Sequence, residues 1–372
     1  MRKIVCLALA AAVSPVFGEA PGAGDAVPSA PLPKLEVLAS YEPAPELSVA
    51  YDIRWADEKS IYLLRVAGGV TRNGLETGLP DLERVLPGAQ QGSRIDFDQR
   101  SFAVSDEFVY STTLGVYDVW HERRRDPREI RIRTREMFLA TDIDLFGDEL
   151  SLLAFRAEAT PEGDLNGEVG VFRTSIADGE YELELLSGEK LLGRAQTAAP
   201  SNAMHVGAGS LRYSARGRLL VALGYREEIL LLSPAGKIKE RWALTDLGIS
   251  VPDRSAILRN TRLSTEEQTS LWRKAAIAVE DVLWIGSSPA VLLRSTGDRV
   301  EWLLALLDRG KSGIYRVPLQ RPESVVRIRM DGNSHEEIVA LLGREIDESG
   351  NSSPSPGVDQ VLVYRIPVPD QP

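Results

Sequence analysis

The 372-residue sequence predicts an all-β fold, a propeller of six four-stranded antiparallel blades, on three observations. First, an apolar strand, a tight acidic or Gly-containing turn and a second apolar strand recur six times, at residues 55–62, 102–110, 143–150, 211–220, 277–284 and 326–339. Second, the turn positions Asp57, Asp106, Asp148, Gly217, Asp281 and Asp331 lie about 55 residues apart on average, the spacing of one blade per repeat plus insertions. Third, Leu35-Glu-Val37-Leu38 alternates as a strand should, and in a closed ring it supplies the last blade with its fourth strand.

From the N-terminus, Arg2-Lys3, an apolar stretch from Ile4 to Phe17 and small residues at Val16-Phe17-Gly18 read as a secretory signal peptide over 1–18. The apolar run is shorter than the roughly 20 residues a membrane span needs, and Pro15 breaks it. Residues 19–45 carry prolines at 21, 28, 31, 33, 43 and 45, a linker composition interrupted by the patch at 35–38. Residues 46–372 then form the propeller domain.

Within it, the first blade opens at Trp55, and the second runs through Val116–Trp120, an Asp126-Pro127 turn and Glu129–Arg133. The third places Asn166-Gly167 as a hairpin turn, then Val169–Phe172, an Asp178-Gly179 turn and Tyr181–Leu185. The fourth is the cleanest, with strands at Leu211–Tyr213, Gly217–Gly224, Glu228–Ser233 and Lys237–Trp242 around a Pro234-Ala-Gly236 turn. An insertion over 245–273 follows, and Ser264 with Glu267 forms a capping box for one short helix with Leu271, Trp272, Ala275 and Ala276 on its apolar face. The fifth blade takes Ala290–Leu293, a Gly297-Asp298 turn and Val300–Leu304, and the last takes Val361–Ile366. A seventh unit has room only between Ile314 and Val326.

The fourth repeat, Gly217-Arg-Leu-Leu-Val-Ala followed by Ile229-Leu-Leu-Leu-Ser-Pro-Ala-Gly-Lys237, resembles the NHL type of six-bladed propeller repeat, within the wider TolB-like group. The resemblance implies a fold and no activity. Tyr51-Asp52-Ile53-Arg54-Trp55 with Ile61-Tyr62 looks like the opening motif of propeller lactonases of the gluconolactonase kind. There the metal-binding glutamate position falls on Tyr51, and Asp52, one residue out of register, is expected on the opposite face of its strand.

The single cysteine, Cys6, lies in the signal segment, so the mature chain has no disulfide, thiolate ligand or cysteine nucleophile. The net charge of −11 becomes −13 once Arg2 and Lys3 leave with that segment, which opposes binding to nucleic acid or an anionic membrane. Ala305 with Gly310-Lys311-Ser312 imitates a phosphate-binding loop, but the residues after it read as a strand and the motif requires a helix. Glu162, Asp164 and Asn166 imitate a calcium loop whose twelfth position, Arg173, is no ligand. The histidines 121, 205 and 335 fall in three different blades without metal-ligand spacing. No nucleophile motif is present, and Gly286-Ser-Ser-Pro289 reads as a turn. No catalytic residue, metal or cofactor is therefore expected.

One basic concentration stands out in this acidic chain: Arg123, Arg124 and Arg125 with Arg131 and Arg133. Arg131 and Arg133 share a strand face and with the loop before them suit a carboxylate or sulfate polymer, or else form a solvated outer strand with interspersed charges. The expectation is an exported, monomeric, non-catalytic scaffold, secreted or periplasmic, that binds a protein, peptide or glycan at one end of its channel and no nucleic acid. A metal-dependent lactonase-like enzyme and a structural part in an envelope assembly are the alternatives.

Overall fold

A computed structural model describes residues 32–41, 50–65, 69–75, 99–104, 108–113, 118–123, 126–131, 137–159, 165–175, 184–186, 195–197, 209–223, 228–249, 277–296, 300–344 and 358–367. After β1 (Glu36–Tyr41) come β2 (Ala50–Asp57), β3 (Ser60–Arg65) and β4 (Gly69–Gly74), which form one sheet. The next contains β5 (Gln99–Val104), β6 (Phe108–Thr113), β7 (Asp118–Arg123) and β8 (Asp126–Arg131). A third contains β9 (Met137–Phe146), β10 (Glu149–Ala159), β11 (Leu165–Ser175) and β12 (Glu184–Leu185), with β13 (Ala195–Thr197) also on β11. The fourth is β14 (Gly209–Tyr213), β15 (Leu219–Leu223), β16 (Glu228–Leu232) and β17 (Ile238–Ala243). The fifth is β18 (Ile277–Ile285), β19 (Ser288–Thr296), β20 (Val300–Leu306) and β21 (Ile314–Arg316). The last is β22 (Val325–Gly332), β23 (Glu337–Arg344) and β24 (Val358–Arg365), completed by β1 on the outer side of β24.

All pairings within these sheets are antiparallel. The first strand of each sheet lies against the first strand of the next, β2 to β5, β9, β14, β18 and β22, and β22 returns to β2. The molecule is thus a β-propeller. Against the expectation of six four-stranded blades, five sheets have four strands or more among the described residues, and β2–β4 has three.

Apolar side chains fill the spaces between neighbouring sheets. Leu153, Val169 and Val171 meet Leu211, Val221 and Leu230; on the other face of that fourth sheet, Leu220, Ile229 and Leu231 meet Val282, Val291 and Leu303. A middle strand is therefore buried on both faces and reads as a continuous apolar run, Leu-Leu-Val-Ala-Leu in β15, whereas no residue of the outer β17 is fully buried. Each fully buried Leu or Val contributes about 1.5–3 kcal/mol relative to exposure. Residues 32–35 lash two sheets together. Leu35 N donates to Arg316 O (3.1 Å), Arg316 N donates to Pro33 O (2.8 Å), and the Leu35 side chain is buried with Trp302, Tyr315 and Tyr364.

Several local expectations are corrected. Asp281 and Asp331 are not turn residues. Both lie within strands, β18 and β22, because alternating polar positions there face the ring axis and not a loop. Asn166 and Gly167 pair with Glu158 and Ala157 inside β11. Asp126 and Pro127 belong to β8, where a proline is tolerated because the strand is outermost. The stretch 314–326 supplies β21, a short 3-10 turn at 322–324 and the start of β22, with no further unit. Among the described residues helical structure is confined to 3-10 turns, and the helix expected after Ser264 lies outside those residues.

Candidate functional site

The six first strands bring polar residues to the axis at alternate positions: Asp52 and Arg54, Ser101, Asp142 and Asp144, Ser210 and Arg212, Asp281, and Arg329 and Asp331. Their intervening neighbours Ile53, Phe102, Ile143, Leu211 and Val282 are fully buried between sheets, as the twofold period of a strand requires.

The deep layer is a continuous network. Arg54 Nη1 donates to Asp52 Oδ1 (2.8 Å), and Ser101 Oγ lies 3.2 Å from Asp52 Oδ2 and also hydrogen-bonds Asp142 Oδ1. Ser210 Oγ bridges Asp142 Oδ2 (2.8 Å) and Asp281 Oδ1 (2.6 Å). Arg212 Nη1 donates to Asp142 Oδ2 (3.0 Å), its Nη2 to Asp281 Oδ1 (3.5 Å), and Arg329 Nη1 approaches Asp281 Oδ1 at 3.9 Å. Buried charges of this kind persist only when paired and hydrogen-bonded.

The same carboxylates join adjacent sheets through the backbone. Leu211 N donates to Asp142 Oδ2 (2.8 Å), Tyr213 N to Asp144 Oδ2 (2.6 Å), Met330 N to Asp281 Oδ2 (2.9 Å) and Trp55 N to Asp331 Oδ2 (2.8 Å). Each acid thus satisfies an N–H on the first strand of the following sheet, and Trp55 closes the circle.

One end of this channel opens into a recess of about 350 Å³, at the small end of the roughly 300–1,000 Å³ range of ligand pockets. Arg54, Arg212, Asp144 and Asp331 line its depth, Phe146, Tyr213 and Trp284 its wall, and the turns at 214–215 and 332–334 its rim. Phe146 is 39% exposed there, one of three exposed large apolar side chains among the described residues. Trp284 Nε1 donates to Arg212 O (3.1 Å), and Arg218 lies 4.8 Å above its ring.

Ionisation differs between the layers. Burial raises the pKa of Asp142, but Arg212, Arg329, Arg54 and the Ser101 hydroxyl outweigh it and hold the group at about 2. Asp144 is raised, burial exceeding the opposing effect of Arg212 and Arg54. Asp331 is pushed up to about 6 by burial, against Arg54, Arg212 and the Trp55 N–H, with the Asp144 charge adding to the rise.

The sequence did not mark this cluster as a site. Asp52 faces the axis, contrary to expectation, because the β2–β3 register shifts between Ala50 and Asp52 and re-aims the strand. Once there it is paired with Arg54 and Ser101. Of the expected basic patch, Arg123 stands opposite Asp126 in the backbone register at one end of the β7–β8 ladder and Arg131 opposite Asp118 at the other. Arg124, Arg125 and Arg133 lie outside the described residues, as do Glu162, Asp164 and His205. His335 is on an exposed turn, its Nε2 3.1 Å from Glu58 Oε1. Gly310-Lys311-Ser312 belongs to a 3-10 turn that runs into β21.

The sequence matches no family model, and no curated protein matches it. Among solved structures, the chain is similar to a member of the DUF4221 family from Bacteroides vulgatus, at 6% identity and a TM-score of 0.56 over 90% of this chain and 99% of that one. It is also similar to the β-propeller domain of Myceliophteria thermophila Cps50 (Swd1), at 12% identity and a TM-score of 0.44 over 90% of this chain and all of that one. A third is the WD40 repeats of RRP9, at 8% identity and a TM-score of 0.47 over 89% of this chain and all of that one. These similarities concern the fold.

Proposed function

We propose that this chain is an exported, monomeric propeller that recognises a partner at the recess-bearing end of its channel, and that β2–β4 counts as the sixth blade of its ring. The observation that carries this reading is the engagement of the deep carboxylates. Asp52, Asp142 and Asp281 are each paired with an arginine and saturated by serine hydroxyls or backbone N–H groups. That arrangement locks sheets together and leaves those carboxylates no role as a base or nucleophile. What remains open is a concave mouth with an exposed aromatic, polar turns and few regular constraints, the features by which rigid scaffolds present binding surfaces. Export rests on the segment Arg2–Gly18, and among the described residues no helix is long and apolar enough to cross a membrane.

The test compares the mature protein with a Phe146→Glu variant, which replaces the exposed aromatic of the wall with a hydrated carboxylate. Partners captured from the compartment in which the protein resides should be lost with the variant while its melting temperature holds. Retention of the same partners by Phe146→Glu, or turnover of a lactone by the wild-type chain with calcium or zinc, would refute the reading.

A further inference from the structure

The junction between the last sheet and β2–β4 is built differently at its two ends. Away from the recess its polar contacts come from a group of fixed charge: Arg327 Nη2 donates to Ala50 O (2.6 Å), and the guanidinium lies 4.3 Å from the centre of the Tyr51 ring. Between the sheets, Ile53, Ile61 and Leu63 pack on Val339, Leu341 and Val363. At the recess end the contacts come from groups that titrate. Trp55 clasps Asp331 twice, its N–H donating to Oδ2 (2.8 Å) and its indole Nε1 to the Asp331 carbonyl (3.1 Å). Beyond that clasp, His335 Nε2 lies 3.1 Å from Glu58 Oε1, a pair that carries opposite charges only when the imidazole is protonated. Gly332, Asn333 and Ser334, which link the two contacts along the chain, form part of the recess rim.

Both contacts respond to pH in the same sense. The charged groups facing Asp331 are Arg54 of β2, Arg212 of β14 and Asp144 of β9, while Arg329 on its own strand is directed at Asp281 of β18. Burial, with the Asp144 charge, outweighs the two guanidiniums and the Trp55 N–H, so the carboxyl is pushed up to about 6 and the clasp is tightest with the proton on. Loss of that proton sets a second negative charge near Asp144, where Arg54 and Arg212 are already bonded to Asp52, Asp142 and Asp281. Parting the sheets at this end returns the charge to water. His335 faces Glu58; on the same turn Asp57 is bound to Arg72 and Lys59 is exposed, and on its own turn Glu337 is bound to Arg365 and Glu336 is exposed. The exposed His335 pair is weak by itself, but it fails over the same rise in pH, histidine being the side chain that ordinarily changes charge between about pH 5 and 8.

We propose that this end of the junction is a proton-operated latch on the recess: protonation draws the turn at 332–335 onto the first sheet, and deprotonation lets it swing out about the contacts of Arg327 and the apolar cluster. The recess is thereby narrower in acid and wider toward neutral pH. The latch follows from the junction alone; its bearing on recognition rests on the recess being the binding face.

Distances between paired spin labels, measured by electron paramagnetic resonance in a Cys6→Ser chain, test it. Labels at Lys59→Cys and Ser334→Cys, both exposed turn positions, leave Asp331, Glu58 and His335 in place and report the latch. Labels at Arg216→Cys and Ser287→Cys, also exposed, report the corresponding turns of the fourth and fifth sheets. Between about pH 5 and about pH 7.5 a longer 59–334 distance should gain about tenfold over the shorter one, as the raised Asp331 requires, while the 216–287 distance holds. Asp331→Asn keeps a neutral acceptor for Trp55 N and should hold the short distance at both pH values. A 59–334 distance indifferent to pH, one that lengthens equally in Asp331→Asn, or lengthening shared by the 216–287 pair would overturn the latch. The comparison of the two label pairs decides this even where Asp331→Asn fails to fold. All the distances are read without a partner, so partner capture by wild type and Phe146→Glu decides the recognition reading separately.

Discussion

Asp142 and Asp331 sit in the same ring of first strands and respond to pH in opposite senses. Asp142, held at about 2 against an ordinary 3.8, stabilises the fold fully above pH 3.8, and that contribution fades as pH falls toward 2. Asp331, raised from 3.8 to about 6, binds its proton more tightly in the folded state. Its contribution is complete below pH 3.8 and is lost as pH rises through 6. Melting temperature followed against pH should therefore show an acid limb below pH 4 that Asp142→Asn diminishes, and a decline between pH 4 and 6 that Asp331→Asn flattens. At pH 7, Asp142→Ala leaves Arg212 short of a counter-charge and the Leu211 N–H without its acceptor. Urea unfolding should register a loss of about 3–5 kcal/mol, the penalty for breaking a buried pair.

At the scale of single elements, the tie at residues 32–35 and the turn at Gly217 give two further expectations. Leu35 is 3% exposed in a cluster drawn from two sheets, so Leu35→Ala should lower stability by about 2–5 kcal/mol in denaturant. Gly217 has φ +70°, and a Cβ there would fall 2.6 Å from the Phe146 ring. Gly217→Ala should lower stability by about 1 kcal/mol and displace Phe146 from Tyr213, now 5.6 Å away between ring centroids, which near-ultraviolet circular dichroism would detect. The strands themselves were legible in the sequence. Leu219–Leu223 is apolar throughout because both faces are covered, and the alternation of Leu35-Glu-Val37 marked the closing strand. The site was not legible, for a physical reason. Asp52-Ile-Arg54, Asp142-Ile-Asp144, Ser210-Leu-Arg212 and Arg329-Met-Asp331 have the period of any half-solvated strand, and only ring closure turns their polar face inward. The partners of Asp142 on β14 are about 70 positions away in the chain, a distance that no local pattern encodes.

For the whole molecule, the described residues have one seam, between β1 and β24, with Tyr41 opposite Val361 and Gln360 Nε2 donating to Ser40 Oγ at 2.8 Å. A chain lacking residues 1–41 should expose the edge of β24, and size-exclusion chromatography should show more self-association than for the chain that retains them. The seam also sets a schedule. Synthesis delivers β1 long before β24, so β1 waits for a strand some 320 positions later before its ladder can form. Joining segments 320 residues apart carries a chain-closure entropy of about 5 kcal/mol. Until that contact forms, the sheet of β22–β24 lacks its outer strand and β24 keeps an open edge.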